Sequence, residues 1–351
     1  MNIKPIRIAV VDDSRFMRTL ITETLSTLPE VEIVATAGTA AEAREVIRTH
    51  APDVITLDVE LPDMNGIALL ERIMALRPTA TVMVSAFTAA GTDATLAALE
   101  LGAVDVVAKP DGSFGLMGFR AKLREKVLAA AAAHVGYQPV PRAHATHYGS
   151  TTGTRPELIG IASSTGGVAA LSRILEGLAE DTPPIVISQH MPANFVLRFA
   201  ERMQTRCRPD VAVATDGEQL DVGMIRLAPG DLHVVPKMRP HGLVSTLSNA
   251  PPPCGHRPSG DVMFDAMAEL DMVRCGVILT GMGRDGANGL LALRRSGGLC
   301  IAQDEASAVV FGMPRVACEI NAVDEVLSLD AIAARLSTFS QPSGRKVRIS
   351  N

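Results

Sequence analysis

A chain of 351 residues is long enough for about two domains of ordinary size. Its 47% hydrophobic and 20% charged content, with a mean hydropathy of +0.22, excludes a disordered polymer. A formal net charge of -5, no tryptophan and 3% aromatic residues leave neither the basic face nor the stacking platform of a nucleic-acid binder.

From residue 6 the pattern alternates short β-branched runs with helix-length amphipathic stretches. "IRIAVVDD", "VEIVATA", "VITLD", "TVMVSA" and "AVDVVAKP" read as strands, and "SRFMRTLITETLSTL", "TAAEAREVIRTH", "GIALLERIMALR" and "GTDATLAALELG" as the helices between them. Such alternation predicts an α/β unit with a parallel, doubly wound sheet and right-handed crossovers. A further helix, "FRAKLREKVLAAAAAHV", closes the unit, which spans residues 1–135. Residues 136–156 then lose periodicity and gather Pro, Gly, Thr and His, as a linker does. His144 and His147 within it, spaced H-x-x-H, read as exposed side chains rather than a metal site.

The second unit, residues 157–351, offers strands "ELIGIA", "PPIVISQ", "VAVAT", "MIRLAP", "LHVVP", "VSTLS", "CGVILT" and "GLCIAQ". Strands crowd together between residues 211 and 249, so a mostly parallel sheet with an antiparallel excursion is expected. Its five cysteines, Cys207, Cys254, Cys275, Cys300 and Cys318, form no C-x-x-C pair and read as reduced, mostly buried thiols. No apolar run reaches the ~18 residues of a membrane span, and "MNIKPIRIAVV" lacks the form of a signal peptide. A cytoplasmic protein without membrane insertion is expected.

In open α/β sheets, chemistry collects at the carboxyl ends of the strands. The first unit places Asp12, Asp13, Asp58, Ser85 and Lys109 there. Three carboxylates on one edge repel one another unless a cation holds them, and a hard, oxygen-seeking ion such as Mg2+ fits. The stretches "VVDDS", "DVELPDMNG", "VSA" and "GAVDVVAKP" resemble the receiver domain of two-component response regulators, a flavodoxin-like fold. The resemblance implies that Asp58 accepts a phosphoryl group from a chemotaxis histidine kinase. It also implies Mg2+ on Asp13, Asp58 and the backbone carbonyl of Glu60, with Asp12 acting through water, and Ser85 and Lys109 on the phosphoryl oxygens. Val106 departs from the pattern, which usually has an aromatic residue three positions before the lysine.

The second unit opens on "LIGIASSTGG", an apolar strand that ends abruptly in Ser163, Ser164 and Thr165. Hydroxyls at a strand-to-helix corner cap the helix, help bind a phosphate, or hold a nucleophile. A nucleophile needs a base and the base an orienter; His190 and Asp285, at two other strand ends, supply both types. A rival is "GMGRDG", residues 281 to 286, which fits the dinucleotide fingerprint G-x-G-x-x-G and is followed by Asp304 and Glu305. Against it, Asp285 beside the helix start would compete with a pyrophosphate for the same N–H groups.

"SSTGG", "QHMP", "LAPGDLHV", "HRPSGDVMF", "LTGMGRDG" and "AQDEASAVVFGMP" resemble the catalytic domain of the CheB family of chemotaxis protein-glutamate methylesterases. With the receiver in front, the likeness covers residues 6 to about 337. By position it makes Ser164 the nucleophile, His190 the general base and Asp285 the orienting carboxylate, with Ser163 and Thr165 in support, one of them a cap. It implies hydrolysis of glutamyl methyl esters, and deamidation of glutamines, on methyl-accepting chemotaxis receptors, with no cofactor for the hydrolysis. It also raises the expectation that the receiver covers the esterase crevice until Asp58 is phosphorylated. Two departures stand out: Ala162, where the family usually has glycine, and Gly260, where a larger apolar residue is common.

Overall fold

The computed structural model describes residues 4–86, 89–110, 115–135, 146–147 and 155–340. Its first unit is β1 (Ile6–Val11), α1 (Arg15–Leu25), β2 (Val31–Ala37), α2 (Ala40–His50), β3 (Val54–Asp58), α3 (Gly66–Leu76), β4 (Ala80–Ser85), α4 (Ala89–Glu100), β5 (Asp105–Ala108) and α5 (Leu116–Ala131). All strand pairs are parallel, in the order β2-β1-β3-β4-β5. The doubly wound expectation therefore holds. β3 and β4 are buried at every position, as strands sandwiched between helix layers must be. Local signals fix the helix starts: Ser14 caps α1, and Thr39 caps α2 by accepting from Glu42 N–H, while the Glu42 carboxylate accepts from Gly38 N–H just before the cap.

Most of the linker lies outside the described residues, as do His144 and the side chain of His147. Within it β6 (Thr146–His147) pairs antiparallel with β15 (Glu325–Leu327) at an edge of the second sheet. The second unit continues with β7 (Leu158–Ser163), α6 (Gly167–Leu175), β8 (Ile185–Gln189), α7 (Ala193–Arg206), β9 (Asp210–Val213) and β10 (Met224–Leu227). A hairpin of β11 (His233–Arg239) and β12 (Gly242–Ser248) follows. Then come α8 (Gly260–Ala268), β13 (Arg274–Ile278), α9 (Ala287–Arg295), β14 (Leu299–Gln303), α10 (Met313–Glu319) and α11 (Leu329–Ser337).

The main sheet runs β6-β15-β14-β13-β7-β8-β10-β9 and is parallel except at β6. The antiparallel excursion expected inside this sheet is instead a separate two-stranded sheet, β11 with β12, packed on α8. Pro236 in β11 offers no N–H for a further strand, which suits an isolated hairpin. Among the described residues no helix is long and apolar enough to cross a membrane. One buried apolar cluster runs from Leu96 and Leu99 of α4 into Leu171, Val196 and Met203 of α6 and α7, so the two units share a core.

Candidate active site

The first sheet gathers Asp12, Asp13 and Asp58 at one edge, with carboxylate oxygens all within 4.8 Å of one another. Asp12 and Asp58 are buried. Lys109 Nζ lies 2.6 Å from Asp58 Oδ2 and 3.1 Å from Asp12 Oδ2. Burial pushes the Asp58 carboxyl up to about 6; the bond from Lys109 opposes this and the charge of Asp12 adds to it. Burial disfavours charge on Lys109 too, but Asp58 and Asp12 outweigh it and hold the ammonium above its ordinary range. Asp12 Oδ2 is sealed from water with the Lys109 ammonium beside it, and one ammonium among three clustered carboxylates leaves negative charge that a divalent cation would satisfy. Ser85 is at the expected strand end, but its hydroxyl turns to the carbonyls of Ala86 and Gly91, at 3.4 and 3.5 Å. Val106 is half-buried against the core shared by the two units.

The second sheet builds a corner at the end of β7. Ser164 N–H donates to Thr280 O at 3.0 Å, and Ser164 O accepts from Gly167 N–H at 2.7 Å. Gly166 (φ 79) takes the left-handed turn into α6. Neither Ser163 nor Thr165 caps that helix, contrary to expectation. Ser163 donates its buried hydroxyl to Gln189 Oε1 at 2.6 Å, while Gln189 Nε2 donates to Ser164 O at 3.0 Å. Gln189 thus ties the ends of β7 and β8 together beneath Ser164. Sequence reading passed over it, though it stands next to His190 in "QHMP".

His190 Nδ1 lies 3.1 Å from Ser164 Oγ, and His190 Nε2 lies 2.8 Å from Asp285 Oδ2. Three residues spread over 122 positions of chain thus form one hydrogen-bonded line. Asp285 is buried and sits on the start of α8, accepting from Ser259 Oγ at 2.6 Å, Gly260 N at 2.6 Å and Asp261 N at 3.3 Å. Burial alone would raise its pKa; bonds from His190, Ser259 and Gly260 overcome this and lower it to about 2. The carboxylate is therefore ionised and can fix the imidazole tautomer. Ser259 was not foreseen, although its place before an acidic residue and an apolar run marks a cap, and it also caps α8.

A second imidazole, His256, stacks on His190 with centroids 4.3 Å apart and planes 11° from parallel. Burial, and the proximity of His190, push His256 down to about 4, so it is neutral near pH 7. The dinucleotide reading of "GMGRDG" meets a physical obstacle. The start of α9 is occupied by Asp261, whose Oδ1 accepts from Gly289 N at 2.9 Å. Asp285 itself engages α8 rather than α9, which corrects the sequence expectation of where its carboxylate would compete.

The first unit packs directly on this corner. Thr165 Oγ1 donates to Asp105 Oδ2 at 2.5 Å, and Gly166 N–H donates to Val104 O at 3.2 Å. Asp105 is also paired with the buried Lys126 at 3.0 Å. Glu100, ending α4, accepts from Arg202 at 2.6 and 3.1 Å and from Arg206 at 2.7 Å, both on α7. Ser164 keeps only 6% of its surface exposed.

Comparison with known proteins matches residues 159–336 to the CheB methylesterase family and residues 8–116 to the response regulator receiver domain. This chain belongs to the CheB family. A protein-glutamate methylesterase/protein-glutamine glutaminase of Rhizobium johnstonii is 48% identical over 335 residues, covering 95% of this chain and 96% of that protein. A protein of the same description from Bordetella parapertussis is 44% identical over 350 residues, covering 98% and 100%. Among solved structures, the Thermotoga maritima CheB methylesterase catalytic domain superposes with a TM-score of 0.51 at 35% identity, covering 53% of this chain and 99% of that one.

Proposed function

We propose that this CheB-family chain hydrolyses γ-glutamyl methyl esters on chemoreceptors, and deamidates receptor glutamines, with Ser164 as nucleophile and phosphorylation of Asp58 as the control. The observation that carries the reading is the line Ser164 Oγ, His190, Asp285, with links of 3.1 and 2.8 Å. Nδ1 faces the serine and Nε2 the carboxylate, the reverse of the nitrogen usage in chymotrypsin-type triads. Asp285, ionised, accepts a hydrogen bond from Nε2–H and so leaves a lone pair on Nδ1 to take the serine proton. Ser164 Oγ attacks the side-chain carbonyl, His190 passes the proton to departing methanol, and water then cleaves the acyl-serine by the same route.

The developing oxyanion needs donors. The N–H of Thr165, which follows the nucleophile, makes no hydrogen bond among the described residues. The loop at Gly281 and Met282 presses on Ser164 from the other side: a methyl on Gly281 would meet Ser164 Cβ at 2.8 Å. One such donor is worth about 10²–10³ in rate.

In the receiver, Asp13, Asp58 and the Glu60 carbonyl would hold Mg2+, with Asp12 behind them; the ion supplies charge neutralisation for phosphoryl transfer from the chemotaxis histidine kinase. Lys109 is already placed to pair with the added charge, whereas the Ser85 hydroxyl has to turn from Gly91 to reach it. Residues 1–135 act as the receiver, 136–156 as the linker and 157–351 as the catalytic unit. The test is methanol release from methylated receptor membranes by the wild-type chain with and without a phosphodonor, and by Ser164→Ala. Ser164→Ala is expected to fold and to release none; full release by that variant would end the reading.

A further inference from the structure

The receiver does not fill the space above Ser164. Between the units lies a cavity of about 520 Å³, lined by Ser164, His190 and His256 on the catalytic side and by Val104, Val106 and Lys122 on the receiver side. Cavities that admit small organic ligands span about 300–1,000 Å³. A helical segment, about 10 Å across, is a different matter: Ser164 is only 6% exposed, and the receiver residues Asp105 and Val104 are bonded to Thr165 and Gly166 beside it. The space is of small-molecule size, and those contacts stand in the way of a receptor helix.

We propose that the receiver-covered form is a working hydrolase of small carboxylic esters that carry a carboxylate, and that covering excludes only polypeptide substrates. This rests on Ser164, His190 and Asp285 acting as described above. The nucleophile line is already complete while the receiver sits in place, with both links within hydrogen-bond range. Among the described residues the covering hydrogen bonds fall beside it rather than on it: Asp105 engages Thr165, and Val104 engages the Gly166 N–H. The charge on the wall favours an anion. Lys122, Lys126 and Arg257 line the cavity against Asp105 and Asp231, and Lys126 is spent on Asp105. Lys122 is 44% exposed in its side chain and shares the carboxylate of Glu125 with Lys126, so its ammonium is only partly neutralised and is the more open of the two lysine charges. His256 is uncharged there. The reaction balances with water alone: the acyl–oxygen bond breaks, the alcohol leaves with the proton from His190, and water yields the carboxylate.

The test uses the full chain, with and without acetyl phosphate, on three substrates. These are N-acetylglutamate γ-methyl ester, neutral p-nitrophenyl acetate and methylated receptor membranes. Without acetyl phosphate, hydrolysis of the N-acetylglutamate ester is expected within about threefold of its rate with it, while receptor hydrolysis falls at least about tenfold. Equal suppression of the N-acetylglutamate ester and the receptor overturns the proposal and leaves the esterase reading intact. If neither form acts on any of the three, the esterase reading fails and the proposal falls with it. Lys122→Glu should shift the preference for the N-acetylglutamate ester over the neutral ester by about fivefold without acetyl phosphate, a change of about one screened charge contact, and not with it. An unchanged preference in the covered form would remove the role given to the wall charge.

Discussion

Gly260→Ala tests how closely the Asp285 carboxylate depends on the packing behind it. A methyl group at position 260 would meet Ala162 Cβ at 2.8 Å, Gly286 Cα at 3.0 Å and Asp285 Oδ2 at 3.4 Å. Carbon atoms pack best at about 3.5–4.0 Å, so the start of α8 has to retreat by several tenths of an ångström. Overpacking of this kind costs about 1–3 kcal/mol, against which Ala regains up to about 1 kcal/mol of helix propensity over Gly. Gly260 N–H also holds Asp285 Oδ2 at 2.6 Å, so the retreat pulls the carboxylate from His190. A displacement approaching 1 Å costs about 10²-fold in rate, and a few tenths should cost about tenfold. Ala162→Gly removes the methyl in the way. The double variant should recover most of the lost rate and show a coupling of about 1–2 kcal/mol in stability, since the residues touch. Urea denaturation and ester hydrolysis of the four proteins provide the measurement. Additive losses, or a Gly260→Ala protein as active as wild type, would refute the reasoning.

Asp285→Asn should fold but lose about 10⁴ in turnover, the scale for neutralising a triad carboxylate in a serine protease. Its folded carboxyl titrates at about 2 against an ordinary 3.8, so ionised Asp285 adds stability above pH 4 that disappears as pH falls through 2. The stability gap between wild type and Asp285→Asn, about 2 kcal/mol at neutral pH, should therefore close in acid denaturation series; a gap independent of pH would contradict it. Ser163→Ala should keep activity within about tenfold but lose about 1–3 kcal/mol, because Gln189 Oε1 is left buried without its donor; an inactive Ser163→Ala beside an active Ser164→Ala would move the nucleophile by one residue. Glu100→Ala removes the acceptor of Arg202 and Arg206 and should raise unphosphorylated activity on receptor membranes by about fivefold, the worth of a partly exposed ion pair. No change there would place the grip of the receiver elsewhere.

The two departures from the family pattern, Ala162 and Gly260, look independent in the sequence because 98 residues separate them. In space they meet: a Cβ at position 260 would stand 2.8 Å from the Ala162 Cβ. The same limit runs through the site. Strand ends announce Ser164, His190 and Asp285 because buried apolar runs stop there, and period-two and period-3.6 patterns survive in a bare string of letters. Ser259, Gln189 and His256 act through contacts across the chain, and no local pattern carries that. The three-residue β15 is too short to alternate, and the β11–β12 hairpin carries the same β-branched signal whether or not it joins the main sheet.

Val106 sharpens the question of how Asp58 speaks to Ser164. Its neighbour Asp105 points the other way along β5, outward to Thr165 and Lys126, and Val104 lends its carbonyl to Gly166. Residues 104 and 105 at the start of β5 therefore touch the corner at Thr165 and Gly166, and Lys109, just past its end, pairs with Asp58. On the proposed control, a charge of about -1.5 to -2 placed on Asp58 would pull on Lys109, and through the adjoining β5 on the contacts beside Ser164, with no ring needed at position 106. The expected point of action is therefore the covering contacts rather than the triad itself.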